Sequence, residues 1–211
     1  MDAAIGMRAV RTQRELQEAL GGAPKSSLIN SIRPRLRDVD RAWLAASPFC
    51  LLATAGADGS CDVSPRGDAP GFALVLSDTT LALPERAGNR RGDGYQNLLE
   101  NGHAGLLFMI PGRTDTLRVN GRAMLVRDAP FFDQMTLEGQ RPVLAVVVEV
   151  EEVFYHCVKA FHRSGLWRPE TWDRDGAPSR GQVARALERV RPPVPAAGIG
   201  SGYDEASRPA M

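Results

Sequence analysis

Between Pro48 and Tyr155 the apolar residues come in short runs broken by turn residues about every eight to twelve positions, the texture of an antiparallel sheet. The runs predict strands over Phe49–Ala55, Cys61–Arg66, Phe72–Ser77, Thr80–Pro84, Ala104–Ile110, Thr116–Val126 and Val143–Tyr155. Gly56-Ala57-Asp58-Gly59, Ser77-Asp78 and Pro111-Gly112 supply turns between successive runs. One helix interrupts the series, with Tyr95, Leu98 and Leu99 at helical spacing and Asn101-Gly102 as its stop, and a short helix fits between Ala129 and Met135. Strands that neighbour one another in sequence, without βαβ alternation, predict a mainly β fold: a small closed or partly closed antiparallel barrel.

The flanks read differently. Thr12 with Glu15 forms a capping-box pattern ahead of Leu16 and Leu20, and Gly21-Gly22 ends that helix. A second helix is predicted over Asp38–Ala46, with Asp38 as cap and Val39, Trp43 and Leu44 on one face. Residues 1–47 are therefore expected to be a helical extension packed outside the barrel. After Tyr155 come a helix through Lys159 to Ser164, two tryptophans at 167 and 172, and an amphipathic piece over Ser179–Arg191 carrying Val183, Leu187 and Val190. Pro, Gly, Ala and Ser make 13 of the last 20 residues, a composition that builds no core, so this tail is expected to be disordered unless a partner chain covers it. The expected organisation is an extension (1–47), a barrel domain (48–167) and a partly disordered C-terminal extension (168–211).

Composition narrows the function. At 211 residues with 43% hydrophobic content, the chain has material for one domain with tails. Twenty-six Lys and Arg against 25 Asp and Glu leave a net charge of +1, which gives no field to hold nucleic acid or an anionic membrane. Apolar runs such as Val143–Val148 fall far short of the roughly 20 residues of a membrane span, and the N-terminus mixes Asp2, Arg8 and Arg11 without an apolar signal region. A cytoplasmic location is expected. Cys50, Cys61 and Cys157 contain no Cys-x-x-Cys pair, and His156, Cys157 and His162 match no usual zinc spacing, so neither a disulfide framework nor a metal site is expected. Gly198-Ile199-Gly200-Ser201-Gly202 has no strand before it and no helix pattern after it, and is tail composition rather than a dinucleotide fingerprint.

The segment Leu83-Pro84-Glu85-Arg86-Ala87-Gly88-Asn89-Arg90-Arg91 links a strand to the Tyr95 helix. Asn89 could cap that helix, whose first-turn amides attract an anion, while Arg90 and Arg91 bring two guanidinium groups to the same end; a phosphate monoester suits such a place. The same residues also read as a solvated basic turn in which Glu85 and Asp93 answer Arg86, Arg90 and Arg91. Two distant segments favour the anion site. Ser64-Pro65-Arg66-Gly67-Asp68 ends a strand with another Arg, and Thr116, Arg118 and Asn120 share one face of a later strand.

In this order, these segments resemble the pyridoxamine 5′-phosphate oxidase-like family of FMN-binding split-barrel flavoproteins, over about Asp38 to Trp167. The resemblance implies an antiparallel six- to seven-stranded split β-barrel with Greek-key connections and peripheral helices. It implies FMN as cofactor, with the phosphate at Asn89, Arg90 and Arg91, Arg66 beside the isoalloxazine ring, and Thr116 as a further ring contact. Ser64, Pro65, Leu83, Pro84, Arg86 and Arg118 belong to the same matching segments. It also implies a homodimer with FMN at the subunit interface, where Trp167 or Trp172 would be contributed by the partner. The vitamin-forming oxidases of the family carry an Arg in the second strand where this chain has Cys61, and a terminal Trp and Arg segment without counterpart here. The expectation is thus an FMN-dependent oxidoreductase acting on a small molecule other than pyridoxamine phosphate, with a nicotinamide cofactor as electron donor and no residue marked as an obligatory general acid or base. The alternatives are a flavin carrier or sensor without turnover, and a split barrel holding F420 or haem.

Overall fold

A computed structural model describes residues 6–29, 31–88, 91–156, 159–173 and 175–188. The chain divides after Trp167 into two compact units. The first begins with α1 (Gln13–Leu20), α2 (Ser26–Ile29) and α3 (Asp38–Ala46), followed by β1 (Phe49–Ala55), β2 (Cys61–Gly67), β3 (Leu74–Ser77) and β4 (Thr80–Glu85). Next come α4 (Asp93–Glu100), β5 (His103–Met109), β6 (Thr116–Val126), a 3-10 turn over Pro130–Met135, β7 (Leu144–His156) and α5 (Lys159–Ser164). In the second unit a 3-10 turn at Pro169–Thr171 precedes α6 (Arg180–Glu188). Its Ser179 and Gln182 close a capping box, with Val183 and Leu187 exposed. The expected disorder of Pro192–Met211 and the place of Val190 lie outside the described residues.

All seven strands join one antiparallel sheet in the order β2-β1-β5-β6-β7-β4-β3. The sheet curls around a core drawn from nearly every strand: Cys50 and Leu52 of β1, Leu81 and Leu83 of β4, Leu106 and Phe108 of β5, Leu117 and Val119 of β6, and Val146, Val148 and Val153 of β7. Leu36, Trp43 and Leu44 cover one side of that core from the N-terminal segment. The fold is a mainly β split barrel, as expected. Its two edge strands are β2 and β3, and among the described residues no ladder joins them.

Alternation fails at one informative place. In β7, Val146, Val148, Val150 and Val153 all face the core, so the phase must slip between 150 and 153. It does so through a bulge: Asn120 pairs with Glu152 but Gly121 with Val150, leaving Glu151 as the extra residue. Gly121 is required there, since a Cβ at that position would stand 1.9 Å from the Glu149 carbonyl oxygen. On the opposite face of the second half of the sheet, Ala82, Ala145 and Val147 are covered by Phe132 and Met135 of the 3-10 turn.

Three helix details differ from the sequence reading. In α3 the N-cap is Arg37 rather than Asp38, and Asp40 Oδ2 accepts the Arg37 amide at 2.9 Å. Asp40 is buried with Trp43 and Leu44, whereas Val39 is exposed. The reason is that a carboxylate with its own partners competes for the inward face. In α4, Leu98 is buried but Leu99 is 76% exposed, and Gly92 rather than Asn89 stands at the cap. The capping box of α1 forms as read, with the Glu15 amide donating to Thr12 Oγ1 at 3.2 Å, though Leu16 and Leu20 remain exposed.

Candidate functional site

The open edge of the barrel carries a cavity of about 330 Å³. One wall is edge strand β2, from Asp62 through Val63, Ser64 and Pro65 to Arg66; another is the Arg91–Tyr95 stretch that starts α4; Glu85 from the end of β4 completes it. As an edge strand, β2 has no second ladder partner among the described residues, so the backbone polar groups of its free side face outward. Helix α4 seats closely on this strand. A Cβ on Gly94 would lie 2.8 Å from Asp62 Oδ2 and 3.2 Å from Thr54 Oγ1, so glycine is the residue that allows the approach.

Arg66 is fixed from three elements at once. One terminal guanidinium nitrogen donates to Glu85 of β4 and to the Tyr95 hydroxyl of α4, and Tyr95 in turn donates to Glu85. The other terminal nitrogen donates to Ser64 Oγ at 3.0 Å. The guanidinium carbon lies 4.8 Å from the centroid of the Tyr95 ring, within cation–π range. Burial, reinforced by the hydrogen bond to Glu85, pushes the Tyr95 phenol above its ordinary range, while Arg66 opposes it. Behind the cluster sits Cys50, the register partner of Arg66, whose thiol burial pushes up to about 12.

A second ion pair lies beside the first. Arg86 Nε donates to Asp68 Oδ2 at 2.9 Å and one of its terminal nitrogens to the Gln140 carbonyl at 3.2 Å, within a separate cleft of about 210 Å³ that includes Gln134 and Leu137. Arg66–Glu85 and Asp68–Arg86 therefore link the end of β2 to the end of β4 by side chains. The expected answers to the basic turn are redistributed accordingly: Asp93 pairs with Arg91, but Glu85 turns to Arg66 and Arg86 finds Asp68.

The structure brings Ser64, Pro65, Arg66 and Arg91 together in the cavity. Arg86 stands in the neighbouring cleft. Leu83 is buried in the core and Pro84 is buried in β4. Asn89 and Arg90 lie outside the described residues. Thr116 and Arg118 lie on the other face of the sheet: Leu117 is in the row of Phe108, Cys50 and Arg66, so its neighbours in β6 point away from the interior. There Thr116 is buried and the Arg118 guanidinium lies 5.5 Å from the Phe154 ring centroid. Trp167 stacks on Phe161 with centroids 5.9 Å apart. Glu85, as a partner of Arg66, and Tyr95 are the site residues that sequence reasoning missed. The available signal was a carboxylate closing an apolar strand and a hydroxyl-bearing aromatic on the inward face of the helix that follows.

A split barrel with a ligand-sized cleft along its open edge is the class these features define. Residues 36–157 match the family model for pyridoxamine 5′-phosphate oxidase, and the chain belongs to that family. No curated protein matches the sequence. Among solved structures, HupZ from Group A Streptococcus is 17% identical with a TM-score of 0.47, the match covering 57% of this chain and 93% of that one. HutZ, the haem storage protein of Vibrio cholerae, is 14% identical with a TM-score of 0.38, covering 58% and 94%. A pyridoxamine 5′-phosphate oxidase-related, FMN-binding protein of Nostoc punctiforme is 14% identical with a TM-score of 0.36, covering 55% and 76%. Among the described residues no helix is long and apolar enough to cross a membrane, and no group of three or more His, Cys, Asp or Glu is placed to hold a metal ion.

Proposed function

We propose that the protein is an FMN-dependent oxidoreductase acting on a small molecule. The observation that carries this reading is the cavity along edge strand β2, where a fixed guanidinium, outward backbone groups and a helix start meet. This donor set fits a flavin. A planar heterocycle with alternating carbonyls and ring nitrogens matches strand-edge amides and Arg66, and a phosphate matches Arg91 with the N-terminus of α4. The lining carries three carboxylates, Asp62, Glu85 and Asp93, and two Arg side chains, with Arg66 paired to Glu85 and Arg91 to Asp93. On this reading Arg66, held through its terminal nitrogens by Glu85, Tyr95 and Ser64 while its buried Nε has no partner, orients the ring, and Arg91 leaves Asp93 to meet the phosphate with Asn89 and Arg90. When bound, the flavin supplies the redox chemistry, and the protein supplies position and charge.

Thr116 and Arg118 are not among the residues that line this cavity, and Arg118 lies in the outer row of Leu51 and Leu107. A second copy packed on that face would bring them to the site, which supports a homodimer with FMN at the interface. Nicotinamide cofactor is the proposed electron donor. Pyridoxamine phosphate is not the proposed substrate, because Cys61, exposed at the start of β2, offers no cation where the vitamin oxidases place one.

The first test is the absorbance spectrum of the purified protein with mass identification of what heat releases. FMN supports the reading; a deazaflavin or haem overturns it. Replacing Arg90 and Arg91 together by Ala removes contacts of about 1.5 to 3 kcal/mol each and should weaken FMN far more than riboflavin. Anaerobic NADH or NADPH should bleach the flavin, while aerobic turnover of pyridoxamine phosphate should be poor. Firmly bound FMN that neither nicotinamide bleaches would favour a carrier without turnover.

A further inference from the structure

Arg66 is a cation held beside the proposed ring site with a counter-ion built in. Its side chain is 16% exposed and that of Glu85 25%, so water screens neither fully. Glu85 reaches Arg66 across the split of the barrel rather than along a strand, and Tyr95, from α4, hydrogen-bonds to both. An exposed surface cation is screened by solvent and salt. This one is neutralised by a carboxylate whose place is fixed by two further elements.

We propose that Glu85 sets the reduction potential of the bound flavin by offsetting the charge of Arg66, with Tyr95 as the positioning residue that holds the pair. The inference rests on the flavin reading and deepens it. Two-electron reduction with uptake of one proton adds one negative charge to the ring system. A nearby cation favours that added charge and a nearby anion opposes it, and in a partly desolvated cavity both act at an effective dielectric well below that of water. With Glu85 ionised, the pair presents little net charge, so the potential is kept low and the reduced cofactor remains a strong donor. Without the Glu85 charge, Arg66 acts uncompensated and the potential rises.

The experiment uses the full chain loaded with FMN, reduced by dithionite against reference dyes, with separate titration of oxidised and reduced FMN. Glu85→Gln keeps a hydrogen-bond acceptor and removes the charge. It should tighten reduced relative to oxidised FMN on the order of tenfold, a rise of about 30 mV for a two-electron couple. Arg66→Gln should shift the potential the other way, and Tyr95→Phe, which removes no charge, should shift it less than Glu85→Gln. If Glu85→Gln fails to retain FMN, the charge-neutral Arg66→Gln/Glu85→Gln double variant carries the test, and its potential should lie nearer the wild-type value than that of Arg66→Gln. FMN-loaded Glu85→Gln at the wild-type potential, or below it, overturns the proposal while leaving the flavin reading intact; so does a double variant no closer to wild type than Arg66→Gln. Wild-type protein that takes up no FMN at micromolar concentration overturns the flavin reading, and the proposal with it.

Discussion

Asp40 is fully buried in α3, and its carboxylate accepts from Arg33 at 2.7 Å and from the Arg37 amide at 2.9 Å. Removing one member of such a pair leaves the other charge buried without compensation. Asp40→Ala should therefore cost about 3 kcal/mol, read as a lower urea midpoint at unchanged slope, and Asp40→Asn, which retains an acceptor, should cost less. A loss below about 1 kcal/mol would show that Arg33 is solvated rather than buried. Cys50 gives a pH dependence of definite sign. Burial raises its thiol from the ordinary 9.0 to about 12, against the opposing charge of Arg66, and burial likewise raises Tyr155 from 10.0 to about 12, with the Asp40 charge adding to it. The native state thus keeps protons that the unfolded chain releases, so stability is fully present below pH 9 and is lost as pH rises toward about 12. Urea midpoints measured from about pH 8 to about pH 11 should fall, and Cys50→Ala should flatten that fall despite its cavity cost. The same residues show what the sequence could reveal of the site. Arg66 and Arg91 stood out because an Arg at a strand end and another at a helix start are chemically conspicuous. Glu85 and Tyr95 did not, because their meaning depends on β4 and α4 meeting the β2 edge, a contact between distant segments that no local pattern encodes.

Among the strands, β6 and β7 are the most demanding pair. The bulge at Asn120/Gly121 lets Val150 and Val153 both reach the core, and only glycine tolerates the approach of the Glu149 carbonyl. Gly121→Ala should destabilise by about 3 kcal/mol or more, since the clash is with backbone and cannot be relieved by a rotamer change. A mild effect would mean that the bulge relocates readily, and hydrogen exchange along β7 would show the shift. Helix α1 marks the opposite extreme: its capping box is complete but none of its residues is buried. Thr12→Ala should cost about 1 kcal/mol of local helix stability, seen as faster exchange of the α1 amides, with the global melting transition unmoved. All seven strands were readable because short apolar runs bounded by turn residues are local signals, and their ends fell within a residue or two of the prediction. The order β2-β1-β5-β6-β7-β4-β3 was not readable, since it depends on which edges bury the most apolar surface together. Nor were the outward positions of Val39 and Leu99, where helical spacing admits either of two adjacent residues to the core and packing decides.

The first half of the sheet presents an apolar outer face. Registers place Leu51, Leu107 and Arg118 in one row with Pro65, and Ala53, Gly105 and Asn120 in the next with Val63. Phe49, Leu51, Leu107 and Met109 are half-buried, and Val63 is 59% exposed. On the second half Phe132 and Met135 form a buried cluster over the outer face, whereas neither buried cluster of the described residues includes Leu51 or Leu107. Contiguous apolar area of this kind is costly in water and is commonly buried by association. The residues expected at the flavin are split between this face and the cavity, so a partner chain would satisfy two requirements at once: it would cover Leu51 and Leu107 and bring Thr116 and Arg118 to a shared site. Light scattering at micromolar concentration should therefore give about twice 22.8 kDa. Leu107→Arg, which places a charge in the middle of the face without touching the core, should yield a monomer with wild-type far-UV circular dichroism that has lost most of its affinity for FMN. A monomer holding FMN as firmly as wild type would show that one chain completes the site, and that Thr116 and Arg118 serve the sheet rather than the cofactor.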